Sequence, residues 1–209
     1  MFKDRKEAGK ILAKKLKEFC NKDDVIVFGI TRGGVVVADE ISKKLKLPIE
    51  IIVIKKIGAP LNPELAIGAV GPGETVYWDE RLLDDIYISE DYKKESVRVK
   101  TKEREVLENY LKSKKDRAVI KEKKIILVDD GIATGATVLT AVKYFRNKKA
   151  GKVILAAPII AKDTYRNIDK YFDTIVALEV SNKLNSVGQF YANFDQVENT
   201  EVKDIIERQ

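Results

Sequence analysis

Residues 125–142 read IILVDDGIATGATVLTAV. Four apolar residues open the stretch, a run of the kind that forms a strand buried on both faces. Two carboxylates, Asp129 and Asp130, follow at once. Small residues come next, Ala133-Thr134-Gly135-Ala136-Thr137, and residues 137–147 then carry helical spacing. A buried strand that ends in acidic residues and turns into a helix is half of a β-α-β unit. In open α/β sheets, ligands bind at that strand edge.

The flanking sequence extends the pattern. Residues 25–30 (VIVFGI) predict a first buried strand, residues 35–47 a helix ended by Pro48, and residues 49–54 (IEIIVI) a second strand. Residues 125–128 are the third strand, 153–159 the fourth and 174–178 the fifth, with a short helix over 163–171. Residues 3–20 have Ala8, Ile11, Leu12, Leu16 and Phe19 at helical spacing, and a last helix is expected over 198–208. Residues 55–79 carry Gly58, Pro60, Pro63, Gly68, Gly71, Pro72 and Gly73. They show no helical period, and a loop this long in a compact domain is usually functional, often a lid. Residues 89–116 are densely charged with sparse apolar positions, which predicts a surface helix. The alternation gives the fold class: α/β, an open, mostly parallel sheet flanked by helices.

Composition narrows the chemistry. The chain has 209 residues, 44% hydrophobic and 34% charged, as a globular domain does. Lys and Arg outnumber Asp and Glu by 39 to 33, a net charge of +6 that suits an anionic ligand without a dense basic run for nucleic acid. One cysteine, Cys20, excludes an internal disulfide framework. The absence of histidine excludes Ser-His-Asp triads, Cys-His dyads and His-ligated zinc. The N-terminal residues show no apolar signal core, and residues 153–161 are too short an apolar run for a bilayer span. A soluble, cytoplasmic protein is expected.

The small residues 133–137 let backbone N–H groups face outward together in front of a helix dipole, which makes a nest for a phosphate. Thr134 and Thr137 add hydroxyl donors. The carboxylates beside them suit sugar hydroxyls, so the stretch has the anatomy of a ribose-5-phosphate site. A Walker A loop is excluded because Ala136, not lysine, follows Gly135. A dinucleotide fingerprint is excluded because residues 29–34, GITRGG, lack its spacing.

Residues 129–137 resemble the phosphoribosyl pyrophosphate (PRPP) motif of the type I phosphoribosyltransferases. Two further segments fit that family in order. Thr31-Arg32-Gly33-Gly34 resembles its pyrophosphate loop, and Lys55-Lys56-Ile57-Gly58 the start of its catalytic loop. DRKEAGKILAKKL, KKIGAPLNPELAIGAV and VGQFYANFDQV resemble a group of bacterial and archaeal members with no assigned substrate. The resemblance implies a PRPP-binding core over 1–180, including a lid loop and charged helical insertion over 56–118, and a C-terminal hood over 181–209. It implies that Asp129 and Asp130 serve the ribose hydroxyls and Mg2+, directly or through water. Gly131 and residues Ala133, Thr134, Gly135, Ala136 and Thr137 would hold the 5-phosphate. Thr31, Arg32, Gly33 and Gly34, with Lys55 and Lys56, would hold the pyrophosphate. Phe190, Tyr191 and Phe194 are the candidates for stacking on the acceptor, with Asn62 and Glu64 of the lid held more loosely. Trp78 and Tyr77 are read as anchors of the lid or of an interface.

The implied activity is transfer of ribose-5-phosphate to a nitrogen acceptor, a nucleobase with a lean to purine, by an Mg2+-dependent homodimer that does not engage membrane or nucleic acid. The alternative is a PRPP-sensing regulator of the same fold that binds nucleic acid. A sugar-phosphate phosphatase or kinase trails both, lacking a nucleotide loop and histidine.

Overall fold

The computed structural model describes residues 1–111 and 118–208. The chain forms α1 (Arg5–Lys15), β1 (Val25–Ile30), α2 (Gly33–Leu45), β2 (Ile49–Ile52), β3 (Lys55–Ala59), β4 (Asn62–Val70) and β5 (Val76–Trp78). It continues through α3 (Glu80–Asp85), α4 (Glu90–Leu111), β6 (Lys124–Val128), α5 (Ala136–Asn147), β7 (Lys152–Ala161), α6 (Lys162–Ile168), β8 (Thr174–Ser181) and α7 (Asn199–Glu207).

The main sheet has five strands in the order β2-β1-β6-β7-β8, all pairs parallel. Its central strands β1, β6 and β7 are almost wholly apolar beyond the lysines that open β6 and β7, yet they feed two separate cores because successive side chains point to opposite faces. Val25, Val27, Ile126, Val128, Ile154 and Ala156 pack on one face with Leu12 of α1, Leu16 at its C-cap, and Val35, Val37 and Ile41 of α2. Ile26, Phe28, Ile125, Leu127, Val153 and Leu155 pack on the other with Val138, Leu139, Val142 and Phe145 of α5. The predicted open, mostly parallel α/β sheet is the one observed.

The expected irregular lid over 55–79 is instead an antiparallel sheet, β3-β4-β5. Its glycines hid it. Gly58 lies at a register shift between β3 and β4, where a Cβ would come within 2.3 Å of the Pro63 carbonyl oxygen. Gly68 lies under Trp78, where a Cβ would come within 2.8 Å of the ring. Residues 66–70 are all buried, so β4 shows no polar alternation either. Trp78 packs with Ile57, Ile67 and Val70 in a small core that α4 covers, and Tyr92 of α4 donates to the Gly58 carbonyl oxygen at 2.8 Å. Tyr77 leans instead on the α5 face of the main sheet. Asn62 and Glu64 are exposed toward the far end of the hairpin.

The charged helix ends, among the described residues, at Leu111. Residues 112–116 of the predicted helix lie outside them, as do residues 112–117 of the expected 56–118 insertion and residue 209 of the expected hood. The C-terminal segment also divides differently. Val202, Ile205 and Ile206 of α7 pack into the α1–α2 core, so that helix belongs to the main body. Residues 190–193, in the segment expected to form the hood, meet the N-terminal residues. Phe2 pairs with Tyr191, Phe2 N donates to Phe190 O, and Ala192 N to Phe2 O, both at 2.7 Å. No helix among the described residues is long and apolar enough to cross a membrane.

Candidate active site

Strands β1 and β6 are neighbours, but the chain leaves them in opposite directions, through α2 toward β2 and through α5 toward β7. Their carboxyl ends therefore diverge and open a cleft, the position at which open α/β sheets bind ligands. A cavity of about 830 Å3 fills it.

The floor comes from the end of β6. Asp129 N donates to Ala156 O of β7 at 3.3 Å, and Asp130 N donates to Asp129 Oδ1 at 2.9 Å. Beyond Gly131 the chain runs beside the end of β7: Ile132 N donates to Ile159 O, and Ala161 N to Ile132 O, both at 2.9 Å. Gly135 has φ +85°, a left-handed conformation that glycine takes readily. It is the N-cap of α5 and provides no side-chain cap. The first-turn amides of α5 are therefore left for a ligand, and the helix dipole favours an anion there. Thr164 of α6 braces this loop from behind by donating its hydroxyl to the Ala133 carbonyl oxygen.

The second wall comes from the end of β1. Thr31 N donates to Ile52 O at 3.1 Å, the Thr31–Arg32 peptide is cis, and Arg32 precedes the first turn of α2. That turn abuts the β6 loop. A Cβ on Gly34 would lie 2.6 Å from the Val128 carbonyl oxygen, and one on Gly33 would lie 1.8 Å from Asp130 Oδ2. The paired glycines thus let the two motifs touch.

The site is electrostatically asymmetric. Burial, reinforced by the neighbouring Asp130 charge, holds the Asp129 carboxyl well above the ordinary carboxylate range, while Lys56 pulls it back down in part. Asp130 has a dedicated cation: Arg5 Nε donates to Asp130 Oδ2 at 2.7 Å, with both side chains largely shielded. Arg5 Nη1 donates to Asp195 O at 2.8 Å, and the guanidinium carbon sits 3.8 Å from the centre of the Phe194 ring.

Of the residues expected at the site, Thr31, Arg32, Gly33, Lys55, Lys56, Asp129, Asp130, Gly131, Ala133, Thr134, Gly135 and Thr137 all line this one cavity. Gly34 and Ala136 are buried immediately behind it. Phe194 and Val187 line it, whereas Phe190 and Tyr191 do not. Tyr191 is buried, its ring stacked on Phe194 with centroids 4.9 Å apart and its hydroxyl donating to Asp130 O at 2.6 Å. Burial, and after it the Asp130 charge, raise the Tyr191 hydroxyl far above its usual pKa, so it stays a donor.

Sequence reasoning missed two contributions. Glu103, Val106, Leu107 and Tyr110 put the charged insertion α4 directly on the cavity wall. Its charge density reads as a solvated face, and only the tertiary placement reveals the other role. Arg5 is the second. It stands among lysines in a first helical turn, and nothing local separates it from them.

The chain belongs to the phosphoribosyl transferase domain family, whose model matches residues 3–192. Among curated relatives, the provisionally named phosphoribosyl transferase Rv0571c of Mycobacterium tuberculosis is 34% identical over 213 aligned positions, covering 100% of this chain. The match covers 47% of that protein, so the chain spans about half the length of the curated relatives it matches. Among solved structures, TT1426 from Thermus thermophilus superposes with a TM-score of 0.82 at 30% identity, covering 100% of this chain and 98% of that one. AQ2163 from Aquifex aeolicus shares the fold at 15% identity, with a TM-score of 0.52 over 85% of this chain and 74% of that one.

Proposed function

We propose that this chain transfers ribose-5-phosphate from PRPP to a ring nitrogen of a planar acceptor, a nucleobase with a lean to purine, and releases pyrophosphate. One observation carries the reading. A phosphate nest at α5, a carboxylate pair at the end of β6 and the Arg32 loop at the end of β1 line a single cavity. Those are the three parts of PRPP in order: 5-phosphate, ribose and pyrophosphate.

In this assignment the amides of residues 135–137 and the Thr134 and Thr137 hydroxyls take the 5-phosphate. Asp129 and Asp130 accept from the ribose hydroxyls, and Arg32, Lys55 and Lys56 receive the pyrophosphate. During transfer the bond from C1 to the pyrophosphate oxygen breaks, the acceptor nitrogen bonds to C1, and its proton passes to water or to the departing pyrophosphate. Charge develops on the ring carbon as in glycosidic cleavage, and the carboxylates below it stabilise that charge. The protein thus works by positioning and electrostatics. Histidine, which the chain lacks, is not needed.

The donor set fits Mg2+, a hard cation that binds through one or two carboxylates together with substrate phosphates. Asp129, driven toward its neutral form by burial beside Asp130, is a group that a cation would return to its charged form. Asp129 and Asp130 would hold the ion directly or through water, and it would neutralise the departing pyrophosphate. Phe194 and Val187, with Val106 and Tyr110 of α4, form the side on which a flat acceptor would lie.

The test is pyrophosphate release from PRPP and Mg2+ with adenine, hypoxanthine, guanine, xanthine, uracil, orotate or no base. The Asp129→Asn/Asp130→Asn double variant runs beside it. Release with one base, abolished in the double variant, is expected. Turnover that survives the double substitution would remove the assignment. Thermal stabilisation by PRPP with silence from every base would favour a sensor, and filter binding to RNA and DNA across salt concentrations would then decide.

A further inference from the structure

Arg5 has no part in the roles just assigned, yet it sits at their junction. Three contacts on three different features hold it. Nε bonds Asp130 on the cavity floor at 2.7 Å, Nη1 bonds Asp195 O in the hood at 2.8 Å, and the guanidinium covers Phe194 on the acceptor wall at 3.8 Å. A solvated ion pair would be worth little. This one is shielded, with side-chain exposures of 11% and 16%. The planar fork adds direction to charge.

The backbone carrying Arg5 is fixed as well. Asp4 caps α1 by accepting from Glu7 N at 2.8 Å, and Asn193 N donates to Lys3 O at 2.9 Å. The residues before Arg5 are thus stitched to the hood, and its side chain crosses from there to the floor.

We propose that Arg5 is a positioning residue: it orients the Asp130 carboxyl and couples occupancy of the PRPP floor to the ordering of the acceptor wall. The proposal rests on the phosphoribosyltransferase reading. With Oδ2 committed to Arg5, Asp130 presents Oδ1 to a sugar hydroxyl. A ligand that draws on Asp130 also draws on Arg5, and through it on Phe194 and Asp195. Coupling of this kind is reciprocal, so an acceptor on the wall tightens PRPP by the same factor that PRPP tightens the acceptor. Typical couplings are on the order of 5–150-fold.

Hydrogen exchange with and without PRPP and Mg2+ tests this in the wild type, Arg5→Ala, Arg5→Lys and Phe2→Ala. Phe2→Ala loosens the same N-terminal segment without touching the cavity. In the wild type, PRPP is expected to slow exchange both at residues 129–137 and at residues 187–197, the latter by about fivefold or more. Arg5→Ala keeps the first protection and loses the second, Phe2→Ala keeps both, and Arg5→Lys, which keeps a cation for Asp130 but loses the planar fork, lies between. Turnover in Arg5→Ala falls on the order of 10–100-fold, the scale of a misplaced catalytic group, with stabilisation by PRPP retained. Hood protection that persists in Arg5→Ala overturns the proposal. So does an equal loss in Phe2→Ala, which would make Arg5 a mere anchor of the terminus. Should Arg5→Ala fail to fold, full hood protection in Arg5→Lys overturns it in the same way. If PRPP protects nothing at 129–137 in the wild type, the function assignment itself has failed, a result distinct from either of these.

Discussion

Gly33→Ala is the sharpest single test of how the site is assembled. The added methyl would lie 1.8 Å from Asp130 Oδ2 and 2.9 Å from Arg5 Nε, where ordinary contact begins at 3.4 Å. The carboxylate oxygen must therefore retreat by about 1.6 Å (3.4 − 1.8) and the guanidinium nitrogen by about 0.5 Å (3.4 − 2.9). Both belong to one 2.7 Å ion pair, so the pair moves or breaks. The obstacles are side-chain ends, which lets the fold survive. Overpacking of this kind costs about 1–3 kcal/mol, which for a chain of this size lowers Tm by about 2–12 °C. The functional loss is larger, because displacing a reacting or orienting group by about 1 Å costs on the order of 100-fold. Calorimetric titration with PRPP and Mg2+, a thermal melt and pyrophosphate release on one preparation would read all three. A folded Gly33→Ala protein with turnover within about threefold of wild type would refute the reasoning, since a misplacement this large should cost far more.

Three further outcomes follow from the same geometry. Gly135→Ala places a Cβ at φ +85° and 3.0 Å from Thr164; it should cost about 1–2 kcal/mol and weaken PRPP binding, read by chemical denaturation and titration. Phe145, fully buried and edge-on to Phe28 at 4.8 Å, should lose about 3–5 kcal/mol on Phe145→Ala in a urea melt. Burial pushes the Asp173 carboxyl up, but Val153 N and Arg146 outweigh it and the net shift is downward. That stability is present above the unfolded carboxylate value and is lost as pH falls through the lower folded one. Asp173→Asn should therefore destabilise at neutral pH by about 1–2 kcal/mol and flatten the acid limb of the stability curve.

The main sheet was legible because its central strands are almost wholly apolar and because β1 and β6 run into Thr-Arg-Gly-Gly and Asp-Asp-Gly, signals that local chemistry alone explains. The hairpin sheet was not. Its glycines serve close approaches at Pro63 and Trp78, and such approaches are invisible until the partner strand is placed. The floor of the site was legible for the same reason as the sheet, since phosphate nests and carboxylate pairs are local. The opposite wall of the cavity was not, because α4, residues 187–199 and Arg5 come together only through tertiary contacts. Phe190 and Tyr191 illustrate the limit. Aromatic residues in a tail announce packing, but not whether they face a ligand or, as Tyr191 does, hold the back of a carboxylate loop.

The placement of β6 beside β1 also sets a schedule for the chain's birth. Ninety-four positions separate the end of β1 at residue 30 from the start of β6 at residue 124. At ribosomal speeds of roughly 5–20 residues per second, β1 waits roughly 5–19 s for that neighbour. During this interval one edge of β1 has its backbone N–H and C=O groups unpaired, and the side chains on both its faces are apolar. The β3-β4-β5 hairpin and α4 are local and can form meanwhile, but they leave that edge uncovered. The nascent chain is thus most exposed to misassociation at the strand that later carries the Thr31–Gly34 loop, and a holdase acting there would find its target in residues 25–30.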